Sequence, residues 1–206
     1  MNRRKSMIVI AMVALLLTFT VSGTIAWLAA STDEVVNVFE PGKVKTDIPE
    51  KIEDGFKTEI AVKNDREAGS TVPVFVRVSV SGYYVKDVNV NGSTVQEIVK
   101  QWDGTFSVND AMNTGTGDGI ANGKWMKGDD GFYYYSGSVA PGEVTTNLLQ
   151  SGKGIDLNPR EDDGTYLVVN VIHQSIQYKP AEAVESVWPV KAKINGVSGT
   201  IELKNN

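Results

Sequence analysis

The chain has 206 residues, a formal net charge of −5 and no cysteine. The acidic balance argues against nucleic acid and anionic lipid surfaces as partners. Without cysteine there is no disulfide framework, so a packed core must hold the fold; a domain of this size buries roughly 70% of its unfolded-chain surface, which is enough.

Arg3, Arg4 and Lys5 precede an apolar run from Met7 to Phe19, and Thr24-Ile25-Ala26 follows. That order is a secretory signal peptide, and the expected cut lies between Ala26 and Trp27. Leu28-Ala29-Ala30 offers a second cut. An uncleaved anchor is the competing reading, because Met7 to Ala30 carries no charge and a membrane helix needs about 20 apolar residues. Thr18, Thr20, Ser22, Gly23 and Thr24 make the second half of the run polar and favour cleavage. Removing Arg3, Arg4 and Lys5 would take the formal charge from −5 to −8.

Beyond the leader the pattern is β. Lys57 to Lys63 alternates polar and apolar residues. Val72, Val74, Val76, Val78 and Val80 alternate for ten residues, with Phe75 and Arg77 on the other face. A period of two predicts a strand. Thr94-Val95-Gln96-Glu97, ahead of Ile98, Val99 and Trp102, reads as a capping box and predicts a helix. Asn113 to Gly123 is rich in Gly, Asn and Thr and reads as a loop. Trp125-Met126 and Phe132 to Val139 flank Lys127 to Gly131, a hairpin pattern. Pro141-Gly142 marks a turn before a strand over Val144 to Leu149. Thr165 to Tyr178 alternates again. Pro180, at a first helical position, predicts a short helix over Ala181 to Trp188 that Pro189 stops. Asn195-Gly196 separates Val190–Ile194 from Val197–Leu203 and reads as a tight hairpin. No repeat or linker divides the chain. The expectation is 1–26 as signal peptide and 27–206 as one all-β domain, an antiparallel β-sandwich, jelly-roll-like, with a few short helices. An immunoglobulin-like strand order is the alternative.

Chemistry is sparse. His173 is the single histidine, inside an alternating strand, and no H-E-x-x-H occurs. A catalytic zinc usually takes three protein ligands, most often including histidine, so no metal and no cofactor is expected. No G-x-S-x-G elbow is present. The acidic pairs Asp33-Glu34 and Asp129-Asp130 and the run Glu161-Asp162-Asp163 lie in or before turn sequence and read as solvated turn residues; the spacing of a calcium loop is absent. The rings Phe132, Tyr133, Tyr134, Tyr135, Trp125, Tyr83 and Tyr84 could stack sugars, though alternation sends half of them inward.

The junction after the leader is the most specific feature. Ala26-Trp27-Leu28 is followed by Asn37-x-Phe39-x-x-Gly42-x-Val44. This resembles the start of the TasA/camelysin family of proteins exported through a SipW-type signal peptidase in Gram-positive bacteria. Leu28 departs from the family's aromatic pair. Later segments are similar to the BsaA-type biofilm matrix proteins in particular: Val72 to Val78, Trp125 to Tyr135, Pro141 to Thr145, and Gln174 to Gln177 before a helix ending in Trp188. The resemblance implies a secreted jelly-roll-like protein that polymerises into extracellular fibres, with itself and other matrix proteins as partners. It also implies a competing label, since camelysin-like members have been classed as surface metallopeptidases; a single histidine gives that label little support. A sugar-binding surface module is the third reading.

Strand edges are templates for further strands. The segment 27–44 is therefore the expected assembly strand, with Trp27, Leu28, Val35, Val36, Asn37, Val38, Phe39, Gly42 and Val44 as its marking residues and Pro41-Gly42 as a hinge. Freed by cleavage, it could add to a neighbour's sheet edge by donor-strand exchange, or pair within its own sheet. A head-to-tail contact of the first kind grows a filament. The leader, while uncleaved, is the only expected link to a membrane.

Overall fold

Valine at every second position from Val74 to Val80 builds the central strand of the molecule. A computed structural model describes residues 42–115, 117–160 and 162–204. The chain divides into two units, 1–41 and 42–206, and the first lies outside the described residues. The second is all-β with antiparallel sheets. Its strands run β1 (Thr46–Asp47), β2 (Glu50–Glu53), β3 (Phe56–Ile60), β4 (Lys63–Asn64), β5 (Val74–Val90), β6 (Ser93–Gln101), β7 (Trp125–Lys127), β8 (Tyr133–Tyr135), β9 (Ile155–Asp156) and β10 (Tyr166–Gln177). A helix, α1 (Ala181–Val187), then precedes β11 (Val190–Asn195) and β12 (Ser198–Leu203).

The largest sheet has the order β10-β5-β8-β7, with β6 also paired to β5. Its faces are set by alternation. Val74, Val76 and Val78, with Tyr133 and Tyr135, enter one core together with Ile60, Val62, Leu148, Leu149 and Ile155. Phe75 and Tyr134 point the other way, into a second core with Tyr178, Val184, Trp188, Val190 and Ile201. This sheet is thus covered on both faces near its middle, which is why Tyr133, Tyr134 and Tyr135 are all buried. Fully burying each such side chain stabilises the fold by roughly 1.5–3 kcal/mol.

Several sequence expectations hold. β10 lies within Thr165–Tyr178, β7 and β8 form the expected hairpin, and β11 pairs with β12 across a two-residue turn. Others are corrected. The helix expected over Thr94 to Trp102 is strand β6. Asn91 (φ 55°) and Gly92 (φ 83°) are both left-handed, the geometry of a two-residue hairpin turn, so the chain folds back along β5, and the β-branched Thr94, Val95, Ile98 and Val99 suit the strand. β5 consequently starts at Val74 and reaches Val90, well past the alternating valines.

Val144 to Leu149 is not a regular strand. Its side chains replace ladder bonds: Thr145 Oγ1 accepts from Val62 N (3.0 Å), Asn147 Oδ1 accepts from Ile60 N (2.9 Å), and Asn147 Nδ2 donates to Thr58 O (2.8 Å). Thr145 N and Leu148 N donate to Val62 O and Ile60 O between them. Instead of a few helices, the described residues hold one α-helix, α1, with Pro180 as its N-cap rather than its first turn. Asn113 to Gly123 is a loop closed by an Asn113–Gly123 bridge.

Candidate assembly edge

The described chain begins as an extended segment whose residues alternate between half-buried and exposed. Gly42, Val44, Thr46 and Ile48 face inward; Lys43, Lys45 and Asp47 face solvent. Val44 and Ile48 pack on the first core. The backbone is held by Thr71 N donating to Lys43 O (2.9 Å) and Asp65 N to Lys45 O (2.8 Å). Glycine is required at 42, because a Cβ there would collide with the side chain of Val72. Gly42 and Val44 are therefore packed within the folded unit. The other marking residues, Ala26, Trp27, Leu28, Val35, Val36, Asn37, Val38 and Phe39, lie outside the described residues, as does Pro41 of the expected hinge.

This root segment runs beside β10. Gly42 N donates to Gln177 Oε1 (3.3 Å), and Thr46 Oγ1 lies 2.9 Å from His173 Nε2 and 3.0 Å from Ser175 Oγ. Position 42 sits near residue 177 and position 46 near 173–175, so the segment is antiparallel to β10 and emerges at the C-terminal end of that strand. His173 is thereby engaged as a strand histidine.

β10 pairs with β5 over twelve consecutive residues without a bulge. It ends the sheet order, so among the described residues its outer edge has no strand partner. Tyr166 to Gln177 contains no Lys, Arg, Asp or Glu. On the far side of β5, where β8 and β7 complete the order, the outer strand β6 differs. It carries Glu97 and Lys100 and has a register shift at Val99. Charges and bulges are the usual means of blunting an edge strand; β6 has both and β10 has neither.

The other residues singled out from the sequence are accounted for locally. Trp125, Tyr133, Tyr134 and Tyr135 are buried, and Trp125 Nε1 donates to Thr146 O (2.8 Å); these rings are core rather than a sugar platform. Asp130 accepts from Tyr134 Oη (2.7 Å) and Arg77 NH1 (3.3 Å). Burial, then the bond to Asp130, pushes the Tyr134 phenol up to about 12. Asp163 is held below its ordinary value mainly by hydrogen bonds from Thr165. Asp33, Glu34 and Glu161 lie outside the described residues. No group of three or more His, Asp or Glu able to hold a metal occurs among the described residues, and none of their helices is long and apolar enough to cross a membrane. Sequence reasoning missed the Asn91-Gly92 turn, whose dipeptide was a readable hairpin signal, and the role of Arg77, which bonds Gln174, Tyr134 and Asp130 and whose one signal was an arginine on the Phe75 face.

No family model matches the chain, and neither the curated proteins nor the solved structures provide a match.

Proposed function

We propose that this protein is a secreted structural subunit that polymerises into extracellular fibres of a biofilm matrix, by adding its N-terminal strand to the outer edge of β10 in a neighbouring copy. A SipW-type signal peptidase cutting between Ala26 and Trp27 would release the donor, and a jelly-roll-like sandwich would present the acceptor. Other matrix proteins are further partners, and no catalysis is assigned to the fold. The carrying observation is the contrast between two outer strands of the sheet: twelve uncharged, unbulged residues on β10 against a charged and bulged β6. Support also comes from the root segment. Its first described residue, Gly42, lies against the end of β10. Main-chain pairing would supply affinity, and alternate apolar side chains of the donor would supply register.

Electron microscopy and light scattering test this. Residues 27–206 should form filaments. Residues 42–206 should be folded by circular dichroism and remain monomeric, because both cores lie within them. Val36→Pro with Val38→Pro removes two backbone donors from the added strand and should block filaments in the same way. Filaments from either altered chain would refute the mechanism.

A further inference from the structure

A shallow groove of about 440 Å³ opens at the rim of the first core, away from both the root segment and His173. Tyr84, Trp102, Phe106, Ser107, Lys153 and Asp156 line it. Its floor is built by register. Leu167, Tyr84 and Lys100 form one row across β10, β5 and β6. Trp102 is fixed just past β6 by its amide, which donates to Gly82 O (3.0 Å). Phe106 stacks on Trp102 with centroids 6.1 Å apart and planes at 23°. Phe106 is half-buried, so part of its ring remains on the groove.

Two cations converge on one ring here. Arg160 Cζ lies 4.4 Å and Lys100 Nζ 4.9 Å from the Tyr84 centroid. Arg160 is held in place by a closed turn, with Arg160 N donating to Thr165 O (2.7 Å) and Gly164 N to Arg160 O (2.9 Å). Lys153 adds a third positive charge on the groove wall. Three carboxylates lie nearby and keep their charge while bonded within their own turns: Asp156, on the groove wall, accepts from Asn158, Asp103 from Thr105 N, and Asp163, within electrostatic reach of Arg160, from Thr165. Among the described residues, none of the ion pairs includes Lys100, Lys153 or Arg160. A chain of net charge −5 thus places Lys153 on the wall and Lys100 and Arg160 against Tyr84, beside an aromatic floor edged by the hydroxyls of Thr105 and Ser107.

We infer that this groove binds a short stretch of an acidic polysaccharide. The C–H face of a pyranose ring matches the apolar floor at Phe106, and ring hydroxyls match Ser107 and Thr105. Carboxylates spaced along the sugar meet Lys100 and Arg160, the latter through a planar fork suited to carboxylate. An open groove lined by apolar rings with a few polar groups is an ordinary ligand-site composition. A nucleic acid fits less well, since its denser charge would be repelled by the acidic remainder of the surface.

Isothermal titration of the full chain with polygalacturonate oligomers tests the assignment, with neutral dextran oligomers and single-stranded DNA as comparison ligands. Saturable binding of the uronate is expected, weakening with salt, with at least ten-fold weaker binding of dextran and of DNA. Lys100→Ala with Arg160→Ala should weaken uronate binding at least ten-fold, and so should Tyr84→Leu, which keeps the apolar bulk but removes the ring. Lys193→Ala, on β11, should leave it unchanged. Circular dichroism checks each variant's fold; the double variant alters exposed side chains and decides the matter even if Tyr84→Leu unfolds. Absence of uronate binding, equal affinity for dextran or DNA, or undiminished binding by the folded double variant would overturn the assignment.

Discussion

Arg77 shows how much one side chain can organise. Its guanidinium lies 4.0 Å from the Phe132 centroid and 5.1 Å from that of Trp188, donates to Gln174 Oε1 through Nε (2.8 Å), and reaches both Tyr134 Oη and Asp130. It ties β5, β8, β10 and the chain after α1 together. The folded state holds Tyr134 as a neutral phenol, with its pKa raised from 10.0 to about 12. The stability this represents is complete below pH 10 and is lost as pH rises through about 12, an effect of about 2–3 kcal/mol at one pKa unit per 1.36 kcal/mol. Denaturant unfolding at stepped pH should therefore show stability falling from pH 10 upward, and Tyr134→Phe should lessen the fall. Asn147 acts as a surrogate for backbone, serving Ile60 N, Leu149 N and Thr58 O. Asn147→Ala strands these groups and should cost about 2–3 kcal/mol in the same unfolding measurement; a loss below about 0.5 kcal/mol would deny it that role.

At the scale of elements, legibility followed how local the determining signal was. β5 and β10 were readable because their alternation is set by burial against a core. β6 was misread because Thr94-Val95-Gln96-Glu97 satisfies a helix start, while the decisive cause, two left-handed residues at Asn91 and Gly92, lies just before it. Val144 to Leu149 was misread because Thr145 and Asn147 side chains take the place of ladder bonds there, a substitution that depends on contacts far along the chain. Tyr133 to Tyr135 could not be divided into inward and outward rings, since both faces of β8 meet a core. The candidate edge was legible only from its donor side; that β10 ends a sheet is a property of topology, invisible to local pattern. The proposed contact makes a prediction at this scale. On polymerisation, the β10 amides that point away from β5 should become protected from hydrogen exchange, while those on the outer side of β6 exchange as before. The reverse pattern would move the acceptor to β6.

For the whole molecule, the proposed fibre needs an expected export leader, the folded unit from Gly42 onward and the outer edge of β10 to act together. A contact between a donor strand and a distant acceptor edge is heterologous and extends without closing. The most direct test separates the two halves of that contact. A peptide of residues 27–41 is titrated into folded residues 42–206, whose β10 edge has no donor of its own. The account predicts saturable binding at one peptide per chain, protection of β10 amides in the complex, and no binding by the peptide carrying Val36→Pro and Val38→Pro. A peptide that fails to bind, or one that binds equally well with both prolines, would contradict donor-strand assembly.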